Sequence, residues 1–164
     1  MIVIADTTPL NYLVLIGRID LLEKLFGRVI IPPAVWEEMQ QAGAPEVVRN
    51  WVTELPPWLT VVRLEVDPDA KLSYLDEGER QAIALAEELQ ADQLLLDETE
   101  ARQEALRRNL SVIGTLGILR RAARVKLIDL PDVLSELKKT TFYVNPELIR
   151  RLLEEDSEWK RSAF

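Results

Sequence analysis

The sequence predicts an α/β protein, with four or five parallel strands sandwiched between helical layers and further helices toward the C-terminus. Three observations carry that expectation. Short uncharged apolar runs such as Ile2-Val3-Ile4-Ala5 and Leu94-Leu95-Leu96 have the continuous hydrophobicity of strands buried on both faces. Between such runs lie segments whose apolar residues recur every three or four positions, the spacing of a helix with one buried face. Strands alternating with helices imply right-handed crossovers and a parallel sheet.

Taken in order, Met1 to Ala5 is the first strand, and Asp6-Thr7-Thr8-Pro9 is a turn with two possible helix caps in which Pro9 suits the first helical position. Leu10, Leu13 and Val14 mark that helix and Gly17 stops it; Leu21, Leu22 and Leu25 mark the next, which ends at Gly27. Arg28 to Ile31 is the second strand, and Pro32-Pro33 starts a helix carrying Val35, Trp36 and Met39. Gly43 and Pro45 break it, Val47 to Val52 form another helix, Leu59 to Leu64 an edge strand, and Asp67 to Lys71 a polar loop. Ala82, Ile83, Ala86 and Leu89 share one helix face, Gln93 to Leu96 is a strand, and Thr99 to Asn109 is a helix with Asn109 as its left-handed cap. Ser111 to Ile113 and Thr115 to Arg124 complete the alternation. Leu130 to Lys138 and a segment after Asn145-Pro146 are helical, Phe142-Tyr143-Val144 reads as a short docking strand, and Glu154 to Phe164 as a polar tail that is mobile or grips a partner.

Composition removes most familiar hydrolase chemistry. A chain of 164 residues is long enough for one domain with a real core, and 48% hydrophobic content argues against disorder. No apolar stretch reaches the roughly 18 to 20 residues needed to span a bilayer. The N-terminus lacks the basic segment and cleavage-type ending of a signal peptide, and Met1 leads directly into a core strand, so little is expected to precede it. With no cysteine there are no disulfides and no thiolate sites, which suits the cytoplasm. With no histidine there is no Ser-His-Asp catalysis and no His-ligated zinc. Carboxylate, lysine, tyrosine, hydroxyl or hard-metal chemistry remains. The net charge of −8 runs against the basic face usual in nucleic-acid binders, although Arg102, Arg107, Arg108, Arg120, Arg121, Arg124 and Lys126 form a basic cluster, balanced in part by Glu100 and Glu104.

Acids stand at the ends of strands. Asp6 closes the first, where it is either a helix cap or a functional group at the sheet rim, and Thr8 shares that ambiguity. Of Glu37 and Glu38, set about 100° apart on a helix, Glu38 is favoured as the inward one. Asp76, Glu77 and Glu79 crowd one helix start, and Glu79 shares a face with Ala82 and Ile83, where a buried carboxylate needs a partner. Asp97 and Glu98 end the strand of three leucines, as functional groups or as a cap for the helix near Thr99; Thr115 follows the last strand, as a cap or as a contributor to the site. Ligands of open α/β sheets bind outside the carboxyl ends of the strands. Acids converging there repel one another without a cation, and an all-oxygen set suits Mg²⁺ or Mn²⁺. The combined pattern points to metal-dependent cleavage of a phosphodiester.

Five segments carry a resemblance: Ile2 to Leu10, Ile30-Ile31-Pro32-Pro33-Ala34-Val35-Trp36-Glu37-Glu38, Leu75-Asp76-Glu77-Gly78-Glu79 through Ala86, Leu94-Leu95-Leu96-Asp97-Glu98, and Val112-Ile113-Gly114-Thr115-Leu116-Gly117. Together they resemble the PIN domain, and the Leu-Asp-x-Gly-Glu and Gly-Thr-Leu-Gly segments look like an uncharacterised prokaryotic branch of it, related to toxins of VapBC-type pairs. The resemblance implies a three-layer α/β/α sandwich over residues 1–128, with residues 129–164 as a helical extension packed on the same domain. It implies Asp6, Glu38, Glu79 and Asp97 as catalytic carboxylates for Mg²⁺ or Mn²⁺, Thr8 as the hydroxyl accompanying the first acid, and RNA as the substrate. It also implies a small antitoxin as partner, and a homodimer in which Trp51, Trp58 or Trp159 is either an interface or a core residue. Arg102, Arg107 and Arg108 are the basic residues expected to meet RNA. Two departures stand out: Glu79 replaces the family's usual Asp, and Leu96 or Asp97 fills the place of the Thr that commonly precedes the fourth acid. Either Asp97 or Glu98 is therefore the fourth acid. A PIN-fold binding module without nuclease activity and a phosphohydrolase acting on small substrates are the competing expectations; the missing glycine-rich phosphate loop counts against the latter.

Overall fold

The computed structural model describes residues 1–163 and divides the chain into two compact units, Met1–Thr115 and a second beginning at Leu116. The first unit contains strands β1 (Val3–Ala5), β2 (Val29–Ile31), β3 (Leu59–Val61), β4 (Gln93–Leu95) and β5 (Val112–Ile113). Its helices are α1 (Thr7–Leu15), α2 (Leu21–Phe26), α3 (Pro33–Gln40), α4 (Glu46–Val52), α5 (Glu77–Glu88) and α6 (Thr99–Arg107). Helix α7 (Thr115–Arg124) starts on the last residue of this unit, and α8 (Leu130–Lys138) and α9 (Pro146–Ala163) belong to the second.

All five strands run parallel in the order β3-β2-β1-β4-β5, the α/β arrangement that the alternating pattern predicts. Strand β1 lies at the centre, with Ile4 opposite Ile30 on one side and Leu94 on the other. All three of its residues are buried, which is why the sequence shows no polar alternation there. Successive strands leave β1 outward in both directions, so the order reverses at β1, and the crevice beyond its carboxyl end is the place where such sheets bind ligands. On one side of the sheet Ile4, Leu94 and Leu96 join Ala82, Ile83, Leu85 and Ala86 of α5 and Ala101 and Ala105 of α6 in a continuous core. The small alanines let these helices approach the sheet closely. Trp51 and Trp58 pack against each other with ring centroids 6.3 Å apart, and Trp58 is buried, within the first unit.

Turn chemistry follows the sequence at several points. Gly27 ends α2 with φ +79°, and Asn109 adopts φ +62° after α6, each closing its helix in the left-handed half of conformational space. Helix α1 begins at Thr7 with Asp6 in the capping position, one of the two roles the sequence leaves open for it, and departs from expectation only in that Pro9 is its third residue rather than its first. Proline is tolerated throughout a first turn because those amides lack intrahelical partners. The loop before α5 contains a single 3₁₀ turn, Ala70–Leu72, which turns Leu72 into the core.

In the second unit, Phe142-Tyr143-Val144 is not a strand but an irregular link between α8 and α9. The Thr140 hydroxyl there donates to the Leu137 carbonyl and accepts from the Phe142 amide, a local turn that competes with pairing. The polar tail is helix: α9 runs unbroken to Ala163, started by the Asn145 side chain accepting from Glu147 N–H. Lys160 bridges Asp156 at 2.9 Å and Asp129 at 3.1 Å, and the Arg124 guanidinium lies 5.6 Å from the Trp159 ring centre. Phe164 lies outside the described residues. No helix among the described residues is long and apolar enough to cross a membrane.

Ile4 is fully buried at the middle of the central strand. Ile4→Ala is expected to lower unfolding free energy by about 2 to 5 kcal/mol, measured by urea denaturation.

Candidate active site

The carboxyl end of β1 delivers Asp6 into the crevice. Its backbone N–H continues the sheet by donating to Leu95 O at 2.9 Å, which fixes the residue between β1 and β4. Although Asp6 occupies the capping position of α1, its side chain makes no capping bond. It is 3% exposed, and Oδ1 accepts no hydrogen bond. A buried carboxylate oxygen without a donor is costly, so a simple capping role does not account for it. Burial pushes the Asp6 carboxyl well above the ordinary range, the Thr7 amide offsets part of this, and the charges of Asp76, Glu79 and Glu38 raise it further.

Those three repelling groups define the cluster. Glu38, on the last turn of α3, is the half-buried member of the Glu37-Glu38 pair, and Glu37 is exposed, as the sequence favours. Its Oε2 accepts from the Thr7 hydroxyl at 2.6 Å and its Oε1 from Gly78 N–H at 3.1 Å. Burial raises its carboxyl and these two donors lower it. Gly78 leaves the Glu38 carboxylate room in this position: a Cβ there would lie 2.6 Å from Glu38 Oε1 and oblige that side chain to shift. Glu79 is buried and shares a capping box with Asp76. Asp76 Oδ1 accepts from Glu79 N–H at 2.8 Å, and Glu79 Oε1 accepts from Asp76 N–H at 3.1 Å. Burial and the Asp76 and Glu98 charges lift the Glu79 carboxyl to about 7, against the lowering effect of the Asp76 amide.

Asp97 and Glu98 divide the roles that the sequence leaves undecided. Asp97 turns toward the start of α7: Thr115 N–H donates to Oδ1 at 2.8 Å and the Thr115 hydroxyl to Oδ2 at 2.7 Å. It does not cap α6. Its carboxyl is raised by burial and lowered by Thr115 and by Arg102. Gly114 gives this pair room, since a Cβ there would lie 2.8 Å from Asp97 Oδ1 and 2.7 Å from Arg102 Nη1. Glu98 is exposed, makes no capping bond for α6, and is the acid of this strand end whose charge acts on Glu79.

Among the hydroxyls, it is Thr7 that bonds Glu38, while Thr8 is the half-buried residue after it. Thr7, Asp76, Gly78 and Gly114 also bond or adjoin these acids, and the sequence pattern points to their neighbours instead. Asp76 was legible in principle, because Asp-x-x-Glu before an apolar helix is a capping-box signature. The basic residues are largely engaged: Arg102 Nη1 donates to Leu96 O at 3.0 Å, and Arg107 pairs with Glu104 at 3.0 Å and reaches the Tyr74 hydroxyl. Arg108, 15% exposed in its side chain, is held by Glu104, Glu87 and Asp69.

Hard carboxylate oxygens and the orphaned Asp6 oxygen suit a divalent cation. Among the described residues no group of three acids forms a ready-made cage. An open arrangement still fits Mg²⁺, which keeps several waters and takes only one or two carboxylates from a protein. Asp6 and the acids whose charges reach it, Glu38 and Glu79, would be the groups to hold such a cation, directly or through water, with Glu98 acting on Glu79 alone.

An open, all-parallel α/β sheet with a buried acidic cluster at its switch point defines the class. The family model DUF3368, described as a PIN domain, matches residues 2–158, and the chain belongs to the PIN-domain family. The family is generally one of metal-dependent nucleases. A solved PilT N-terminus domain protein from the hyperthermophilic archaeon Sulfolobus solfataricus P2 is similar in fold, with a TM-score of 0.51 and 14% identity over 88% of this chain and 100% of that one. No curated protein matches the chain.

The raised acids set the pH response. Asp6 and Glu79 bind protons more tightly folded than unfolded, so their contribution to stability is complete below an unfolded value of roughly 4 and is lost as pH rises through about 7 for Glu79. Glu104, lowered to about 2 by Tyr74, Arg107 and Arg108, acts oppositely and only in the acid range. The metal-free Tm is therefore expected to fall between pH 5 and pH 8, roughly, and Glu79→Gln to flatten that slope in thermal scans.

Proposed function

We propose that this chain is a Mg²⁺- or Mn²⁺-dependent endoribonuclease, the toxin of a toxin–antitoxin pair, acting in the cytoplasm. The observation that carries this is Asp6: a buried carboxylate with an orphaned oxygen, surrounded by three further acids at the end of the central strand. A cation there would activate water and stabilise the oxygens of a phosphoryl displacement. The chain's own groups have separate parts. Asp6, Glu38 and Glu79 supply negative oxygens, with Glu98 at the rim. Thr7 and Gly78 N–H hold the Glu38 carboxylate in one orientation. The Glu79 carboxyl, lifted to about 7, retains a proton in part of the molecules at neutral pH. Asp97 serves by fixing the start of α7 through Thr115, which bonds both of its oxygens.

RNA supplies its own negative charge, so basic groups beside the acids are required. Arg102 stands beside Asp97, and Arg107 has a side chain 62% exposed that can exchange Glu104 for a phosphate. Arg108 can do so only by leaving three carboxylates. A homodimer and a small antitoxin covering the crevice belong to the same proposal.

A second reading has its own support: the absence of a three-acid cage among the described residues, together with the net charge of −8, favours a PIN-fold binding or regulatory module. One comparison separates the two. Wild-type protein is expected to cleave a mixed RNA pool with Mn²⁺, and Asp6→Asn to lose about two orders of magnitude or more in rate. Because Asn removes a buried, repelled charge, the variant's metal-free Tm is expected to equal or exceed the wild type's. RNA left intact by wild type, with no Mn²⁺ binding at millimolar concentration, supports the binding module; full activity of Asp6→Asn removes Asp6 from the mechanism.

A further inference from the structure

We propose that Gln81 is a positioning residue for the Glu38 carboxylate, acting through a reciprocal clasp between α3 and α5. The first amides of any helix lack intrahelical partners. In both helices the second-position amide is satisfied by a side chain of the other. Ala34 N–H donates to Gln81 Oε1 at 3.0 Å, and Gly78 N–H donates to Glu38 Oε1 at 3.1 Å. Ala34 and Glu38 lie one turn apart on α3, and Gly78 and Gln81 lie one turn apart on α5, so each helix uses one face for both bonds. Two bonds a turn apart fix both the slide and the rotation of α3 against α5; either bond alone leaves a pivot.

The rest of the Gln81 amide supports this role. Its Nε2 donates to Glu77 Oε1 at 3.0 Å, which turns the carbonyl oxygen toward Ala34, and Glu77 is itself paired with Arg80. At the other end of the clasp, the missing side chain of Gly78 lets the Glu38 carboxylate sit against the α5 backbone. The Thr7 hydroxyl then fixes the second oxygen. Metal and catalytic groups work only when held to within about 0.5 Å by supporting bonds. Release of Ala34 allows the whole of α3 to shift and carries Glu38 away from Asp6.

The consequence for a cation rests on the proposed function; the consequence for Glu38 does not. Two measurements on the full chain distinguish them: the Mn²⁺ Kd by calorimetry, and the exchange rate of the Gly78 amide hydrogen by NMR in metal-free protein. Gln81→Met keeps the length and apolar stem but neither hydrogen bond, whereas Gln81→Glu combined with Glu77→Gln keeps an acceptor for Ala34 and a donor–acceptor pair between positions 77 and 81 with its ends exchanged. Gln81→Met is expected to weaken Mn²⁺ about tenfold to a hundredfold and to speed Gly78 exchange about tenfold, with the double variant recovering most of the Gly78 protection. Variants that lower Tm while Kd and Gly78 exchange stay at wild-type values overturn the proposal, because Gln81 would then be merely structural. Wild-type protein that binds no Mn²⁺ ends the cation reading, and Gly78 exchange alone decides: faster in Gln81→Met supports the clasp, unchanged overturns it. Should Gln81→Met not fold, Gln81→Asn, one methylene too short to reach Ala34, is judged by the same two measurements.

Discussion

A carboxylate is buried at the end of the central strand with one oxygen unpartnered, and other acids close around it. Folding gains nothing from that arrangement: desolvation and like-charge repulsion both oppose it. The surrounding structure is largely a set of devices that hold the acids in place against this repulsion. The central strand, buried on both sides, cannot move Asp6 without disturbing the β1–β4 ladder that its own amide continues. A capping box ties Glu79 to Asp76 at the start of α5. Glu38 is held from two directions, by a hydroxyl and by a helix amide.

Glycine contributes to this economy of space at two places. Gly78 and Gly114 both sit where a side chain would collide with a carboxylate oxygen, Glu38 in one case and Asp97 in the other. Neither has the positive φ that usually explains a glycine. Close approach explains both, and each lies within two residues of an acid or hydroxyl of the site. The short segments Leu-Asp-x-Gly-Glu and Gly-Thr-Leu-Gly thus have a physical meaning beyond resemblance: one lets a helix N-terminus receive a carboxylate from a neighbouring helix, and the other lets Thr115 grip Asp97 with both its donors.

Much of the fold was legible in the sequence because its signals are local. Uncharged runs gave the strands, and Gly27 and Asn109 gave helix ends with the backbone angles expected of them. The parallel sheet follows from alternation, which left four or five strands open; the structure has five. The errors came where local propensity met competing bonds. The aromatic and β-branched residues Phe142 to Val144 look like a strand, yet Thr140 turns the chain. The charged tail is not such an error: expected to be mobile or to grip a partner, it is helical, with charges spaced to pair along it. In the site, Asp6, Glu38 and Glu79 were legible from strand ends and helix faces. The choice of Thr7 over Thr8 and the turning of Asp97 toward Thr115 depend on side-chain direction across 31 and 18 residues of sequence separation, and no local pattern encodes it; Asp76, by contrast, is marked by the local capping-box pattern.

The central claim is that Asp6 and the acids around it form a site for a divalent cation, at which Glu79, lifted to about 7, would give up its share of a proton on binding. Calorimetric titration of Mn²⁺ into metal-free protein at neutral pH, repeated in two buffers of different ionisation enthalpy, counts the protons released on binding. The account predicts saturable binding with release of a substantial fraction of a proton or more per cation, since ligands must be deprotonated and Glu79 is lifted to about 7. Binding without proton release, or no binding at all, contradicts it.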